Sequence, residues 1–332
     1  MNLNRVFKLL ENKEKFRKKQ VEKALFSDNI GSWKGATALP LALREELERE
    51  APIVFDFDIA KSIQGSNFKA AIKLEDGLSV ETVLLRHEDG RNSVCVSSQA
   101  GCPMGCTFCR TASAGFARNL SVYEIVAQAL FFSYFLKRLN TRITNVIFMG
   151  MGEPFLNYDN VMGAIRILNE RHCFDIGARK ISISTCGITE GIASLAEEKL
   201  QLNLAISLNA PDDDLRSRLM PINNKYNISQ IIEAVRDYIK ATNRRVMLEY
   251  VLLDGINDSR EQAERLAGLL EGLLCFVNLI PYNGKGKLKP PPAHKIRDFK
   301  EILEKHHISV TRRYSFGRDI SAACGQLVYG DR

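Results

Sequence analysis

Cys102-Pro-Met-Gly-Cys106-Thr-Phe-Cys109 sets three cysteines on one short segment, three residues apart and then two. Pro103, Gly105 and the polar residues around them break helix and strand periods alike, so the segment reads as a loop. Three thiolates on one loop can hold three irons of a [4Fe–4S] cubane and leave the fourth iron open to another molecule. A structural zinc site wants four closed ligands, usually in two separated pairs, and no second Cys-x-x-Cys or His pair at zinc-ligand spacing stands in the sequence to complete one. The competing reading is three buried thiols in a turn, since free cysteine packs as a small hydrophobe.

Around this loop the chain alternates. Short apolar runs at Val94–Ser97, Asn145–Met149, Ile181–Thr185, Leu202–Leu208, Val246–Leu252, Phe276–Ile280 and Ser309–Arg313 read as strands. Helical patterns lie between them near 121–137, 158–170, 190–199, 228–242, 259–271 and 295–306. Alternation of this kind predicts an α/β fold with parallel strands and crossover helices. Each candidate motif falls at or just past the end of a strand, the end where α/β barrels place their active sites.

Upstream, residues 1–50 read as amphipathic helices through Phe7, Leu9, Leu10, Phe16, Val21, Ala24 and Leu25, and again through 39–47. Three strand-like runs follow, at Ile53–Phe57, Phe68–Leu74 and Val80–Leu85. This composition shift divides the chain into an accessory domain over 1–90, part helical and part α+β, and a core domain over 91–332.

The chain has 332 residues, 45% hydrophobic and 26% charged, enough for a full core. It contains no apolar run of membrane-spanning length, and its start lacks a signal peptide's pattern. A cytoplasmic, reducing location is expected, where eight cysteines serve as ligands, catalysts or core residues rather than disulfides. The net charge of +7 is concentrated at the two ends. Residues 284–318 hold ten Lys/Arg against three Asp/Glu, and residues 1–24 hold eight against three. Basic stretches flanking the candidate chemistry point to a polyanion such as RNA; solvated helix faces are the alternative.

Five segments together carry a family resemblance: Cys95-Val-Ser-Ser-Gln-Ala-Gly-Cys102, the three-cysteine loop, Gly115-Phe-Ala-Arg-Asn119, Met149-Gly-Met-Gly-Glu-Pro154 and Ala322-Ala-Cys-Gly-Gln-Leu327. In this order, across roughly residues 81 to 327, the chain resembles the RlmN/Cfr group of radical S-adenosylmethionine (SAM) RNA adenosine methyltransferases. The resemblance implies a partial (β/α)6 radical SAM barrel. It also implies one [4Fe–4S] cluster per chain on Cys102, Cys106 and Cys109, and two SAM molecules per turnover. SAM contacts carry over to Gly152, Glu153, Ser184, Ser207, Leu208, Asn209 and Asn283. Two departures stand out: Asn209 replaces the group's usual His, and Gly284 its usual Pro. Asn donates and accepts hydrogen bonds but cannot be protonated.

The resemblance further implies that Cys324 is methylated by one SAM, and that a radical from the second activates this methyl group for addition to the adenine ring. Cys95 then removes the ring proton, and a Cys95–Cys324 disulfide releases the product. Glu81 matches a glutamate regarded as a proton acceptor in the group, with one extra residue between it and Cys95. Cys173, Cys186 and Cys275 match no catalytic motif and read as core thiols. The implied substrate is an adenosine of 23S ribosomal RNA, with transfer RNA as a second substrate in many members. The implied electron donor is of flavodoxin or ferredoxin type, and a monomer is expected. Gly152-Glu-Pro-Phe-Leu-Asn157 and Gly115–Asn119 favour carbon 2 as the methylated position; Phe316-Gly leans toward carbon 8. Two other classes remain open on the residues alone: a radical SAM enzyme acting on a protein or small molecule, and a non-catalytic iron–sulfur RNA-binding protein.

Overall fold

A computed structural model describes residues 2–63, 66–284, 287–313 and 319–328. At the amino end, helices Leu3–Leu9, Lys15–Glu22 and Leu41–Glu50 and a π-helical turn at Lys23–Ser27 form one small layer. Its apolar face buries Phe7, Val21, Leu25, Phe26, Trp33 and Leu47. Phe16, which the helical spacing places on that face, is 52% exposed and lies beneath the Arg17 guanidinium instead.

Twelve strands follow among the described residues: β1 (Phe57–Lys61), β2 (Asn67–Lys73), β3 (Ser79–Arg86), β4 (Asn92–Cys95), β5 (Gln99–Gly101), β6 (Phe116–Asn119), β7 (Asn145–Phe148), β8 (Ile181–Thr185), β9 (Asn203–Ser207), β10 (Val246–Leu252), β11 (Cys275–Pro281) and β12 (Ser309–Arg312). Ten of these form one sheet in the order β1-β2-β3-β4-β7-β8-β9-β10-β11-β12. β4 and β7 to β12 run parallel, while β1 to β4 pair antiparallel. The strands of residues 57–86 thus continue the barrel's own sheet, with Val83 opposite Cys95. This is the α/β radical SAM architecture that the alternation and the resemblance imply.

The crossovers are helices Val122–Lys137, Tyr158–Asn169, Thr189–Glu197, Ile228–Thr242, Arg260–Leu269 and Ala293–Lys305. Three of them start with reciprocal capping boxes, at Ser121/Glu124, Asn227/Gln230 and Ser259/Gln262, which satisfy amide groups that would otherwise lack partners. A further helix, Asp213–Leu219, and the β5–β6 hairpin lie in stretches the periodicity leaves unassigned. Ile53–Phe57 is irregular up to Phe57, contrary to its strand-like sequence. Val54 N–H turns back onto the Pro52 carbonyl, and Phe55 packs edge-on to Phe131 and Tyr134. Aromatic packing overrides the local β preference there. Among the described residues no helix is long and apolar enough to cross a membrane.

Candidate active site

The carboxyl ends of all seven parallel strands open onto one cavity. Cys95 closes β4; Met149 and Gly150 follow β7; Ser184, Thr185 and Cys186 end β8. Ser207 and Asn209 come from β9, Glu249 and Val251 from β10, Tyr282 and Asn283 follow β11, and Arg313 follows β12. Cys102, Cys106, Cys109, Gly152, Glu153 and Cys324 complete the wall. The cavity therefore gathers every sequence-derived candidate except Glu81 and Leu208, which do not line it.

The β5–β6 hairpin presents the cysteine loop. Gly101 (φ +83°) makes the bulge at its base: a side chain there would come within 2.1 Å of the Gly115 carbonyl. Cys102 N–H donates to that carbonyl at 2.8 Å, Cys109 N–H to Cys106 O at 3.1 Å, and Thr107 N–H to Leu219 O at 3.0 Å. Burial pushes the Cys102 thiol up to about 12 and raises Cys109 as well. Cys106 shares a sulfur hydrogen bond with Cys186, which lowers Cys106 and raises Cys186.

Among the described residues, the one trio or larger set of His, Cys or acidic ligand atoms mutually within 4.8 Å is Glu22, His172 and Cys173. Cys102, Cys106 and Cys109 line one cavity, and three thiols with no fourth ligand from the loop fit an iron–sulfur cubane.

Beside the loop, Gly152 (φ +98°) packs against Gln99, whose Oε1 receives the Glu153 N–H at 2.8 Å. The Glu153 carboxylate accepts from Cys186 N–H at 2.7 Å and Phe155 N–H at 3.1 Å. It is 1% exposed, and burial raises its pKa despite those donors. Opposite, Glu249 is a hub that sequence reading missed. Its Oε2 accepts from Ser184 Oγ at 2.8 Å and Ser207 Oγ at 3.5 Å. Its Oε1 pairs with Arg313 Nη1 at 3.3 Å. Asn209, in the left-handed region at φ +61°, is committed to protein partners: Oδ1 accepts from Val251 N–H at 2.8 Å, and Nδ2 lies 3.1 Å from the Met220 sulfur.

Arg313 shares the cavity with Cys95 and Cys324, and the two thiols and Glu249 raise its pKa. Burial pushes Cys95 up to about 12, reinforced by Cys324 and opposed by Arg313. All eight cysteines are free thiols. The Cys324 segment is docked by several bonds: Arg110 N–H to Gly325 O at 2.9 Å, Thr111 Oγ1 to Leu327 O at 2.6 Å and Gln326 Nε2 to Asn283 O at 2.6 Å. Glu81 supplies another anchor. Its Oε2 accepts from Val328 N–H at 2.9 Å, and its Oε1 pairs with Lys69 Nζ at 2.7 Å.

Cys186, which reads as a core thiol in sequence, lines the cavity against Cys106. Arg216 is fully buried beneath both, donating to the carbonyls of Cys186 (2.6 Å) and Leu208 (3.1 Å). A lone Glu in the apolar run of β10 was the one available signal for Glu249, because a buried charge demands partners. Phe316 and Lys285 lie outside the described residues.

Three thiols gathered at the carboxyl edge of a parallel sheet define a radical SAM protein, and the Radical SAM superfamily profile matches residues 96–267. A radical SAM methyltransferase from Sphaerobacter thermophilus has a similar structure, with TM-score 0.92 and 41% identity over 98% of this chain and 97% of that one. The sequence is 44% identical to the probable dual-specificity RNA methyltransferase RlmN of Carboxydothermus hydrogenoformans, over 96% of this chain and 94% of that protein. It is also 44% identical to the RlmN of Geobacillus kaustophilus, over 94% and 86%. The chain belongs to the RlmN family of radical SAM enzymes. It is a SAM-dependent RNA methyltransferase, and its chemistry calls on a [4Fe–4S] cluster and SAM.

Proposed function

We propose that this enzyme methylates carbon 2 of an adenosine in 23S ribosomal RNA, and an adenosine of transfer RNA, with Cys324 as the methyl carrier and Cys95 as the base. The observation that carries this reading is the meeting of Cys95, Cys324 and the three loop thiols in one cavity. An enzyme that only generated a radical for a separate substrate would have no use for two further thiols under one arginine.

Cys102, Cys106 and Cys109 hold one cluster per chain. Gly152, Glu153, Ser184, Ser207, Asn209 and Asn283 form the SAM pocket, used twice per turnover, with Leu208 packed behind its wall. When bound, the cluster and SAM supply the electron and the radical that an unactivated ring carbon requires. Glu153 offers a buried carboxylate to an ammonium group, which would offset the burial that raises its pKa. Ser184 and Ser207 present hydroxyls held by Glu249. Arg313, which shares the cavity with both catalytic cysteines, opposes the burial that raises the Cys95 thiol and so supports Cys95 as the base. Glu81 docks the Cys324 segment through Val328 N–H and, with further lone pairs on its carboxylate, serves as a proton acceptor. Reduction by cellular thiols returns a Cys95–Cys324 disulfide to the resting pair.

Residues 1–90 serve as the accessory domain that grips RNA and 91–332 as the core. Lys8, Lys13, Lys15 and Lys18 surround one cleft beside Phe7 and Tyr123, a fit for phosphate backbone. The enzyme works as a cytoplasmic monomer fed by a flavodoxin- or ferredoxin-type donor. Peptide mass spectrometry after incubation with methyl-labelled SAM tests the carrier. The expected result is one labelled methyl on Cys324, retained in Cys95→Ala, which traps RNA covalently. Labelled RNA from a Cys324→Ala enzyme would contradict it.

A further inference from the structure

Away from the cavity, at the seam between the amino-terminal helices and the barrel, a second donor cluster stands outside every role assigned above. Glu22, His172 and Cys173 place a carboxylate oxygen, an imidazole nitrogen and a sulfur all within 4.8 Å of one another. His172 Nε2 is 3.0 Å from Glu22 Oε2, and its Nδ1 is 2.9 Å from Glu170 Oε1. Glu22 ends the helix Lys15–Glu22. His172 and Cys173 sit on the turn after helix Tyr158–Asn169. That turn is drawn tight by Cys173 N–H and Asp175 N–H, which both donate to the Glu170 carbonyl, at 2.9 and 3.2 Å. Cys173 is 4% exposed, and the Glu22 and His172 side chains are 13% and 29% exposed. The cluster is therefore largely shielded yet open enough for an ion to enter.

We propose that Glu22, His172 and Cys173 bind one zinc ion, with water in the fourth position. Thiolate, imidazole and carboxylate form a mixed set that suits zinc and disfavours the hard cations magnesium and calcium. The Glu170 carboxylate at Nδ1 would hold the tautomer that leaves the Nε2 lone pair, on the Glu22 side, for a metal. A purely ionic arrangement, with a protonated imidazole between Glu22 and Glu170, would account for the two carboxylates but leaves the converging sulfur without a purpose. On binding, the Cys173 proton passes to solvent and no electron is transferred. The ion ties residues 15–27 to residues 170–174, where the Phe26 and Phe174 rings already stack at 5.3 Å. It thereby fixes the lysine-bearing helix on the barrel.

The experiment uses the cluster-loaded enzyme, so that the three loop thiols are occupied. Zinc is added, the excess is dialysed away against a weak chelator, and metals are counted by mass spectrometry. The expected result is about one zinc per chain beyond the cluster iron, with zinc-edge absorption showing one sulfur near 2.3 Å and nitrogen or oxygen for the rest. His172→Ala and Glu22→Gln, both at partly exposed positions, should lower zinc retention roughly tenfold or more while keeping the iron. Cys173→Ser should lose the zinc–sulfur shell. Background zinc in the native enzyme, zinc held equally by His172→Ala, or a shell of three or four sulfurs would each overturn the assignment.

Discussion

Glu81→Ala removes the carboxylate that accepts the Val328 N–H at 2.9 Å and faces Lys69 at 2.7 Å. A hydrogen bond to a charged acceptor contributes about 1.5–3 kcal/mol. The other anchors of the Cys324 segment, at Arg110, Thr111 and Gln326, are untouched by the substitution. Opening of that segment should therefore become roughly 10- to 150-fold more frequent while the barrel stays folded. Glu81→Gln gives a second arm. Its amide oxygen still serves Val328, so local opening should rise less than tenfold. Lys69, whose side chain is 15% exposed, then loses its counter-charge, at roughly 2–4 kcal/mol of global stability, somewhat below a fully buried pair. Adding Lys69→Met should recover most of that loss. Hydrogen exchange of a peptide covering 319–328, beside a urea titration, reads both quantities. Exchange in Glu81→Ala within twofold of the native protein would refute Glu81 as an anchor.

Alanine at Cys102, Cys106 or Cys109 should each abolish the characteristic visible absorption and leave well under one cluster's iron per chain, while far-ultraviolet dichroism is kept. Gly152→Ala places a Cβ 2.6–2.9 Å from Gln99 at φ +98°. Strain and overpacking should cost about 2–4 kcal/mol in urea unfolding and weaken SAM binding in equilibrium dialysis; wild-type values for both would count against the tight turn. The Cys95 thiol, raised to about 12, sets an alkaline signature in metal-free protein. The unfolded chain loses this proton near pH 9 and the folded one only near 12, so the contribution is intact below pH 9 and lost as pH climbs between them. Cys95→Ala should therefore lose about 1 kcal/mol less stability than native protein between pH 8 and pH 10. Equal losses would show that Cys95 is not buried as described.

Where the chain's own pattern was self-sufficient, the sequence and structure coincide. Ile181–Thr185 and Val246–Leu252 are apolar runs with clear limits, and both are strands at those residues. The loop thiols stood out by their spacing and Cys95 and Cys324 by segments that resemble the RlmN/Cfr group, and the cavity brings all five together. The β5–β6 hairpin was not, because each strand is short and the pairing slips at a glycine bulge. Asp213–Leu219 hides behind a charged sequence whose apolar face is only Leu215 and Leu219. Cys186, Arg216, Glu249 and Arg313 gain meaning only from what the fold sets against them. Glu153 with Cys186 joins the loops after β7 and β8, and Ser184 with Glu249 joins β8 to β10, contacts that no local window records.

The central claim is that the two thiols facing the cluster loop direct a methyl group to carbon 2 of adenine. The most direct measurement incubates anaerobically reconstituted enzyme with methyl-labelled SAM, a reductant and unmodified 23S RNA, followed by nucleoside mass spectrometry. Labelled 2-methyladenosine, absent with Cys324→Ala, is the expected product. Labelled 8-methyladenosine, or SAM cleaved to deoxyadenosine with no labelled adenosine, would contradict it.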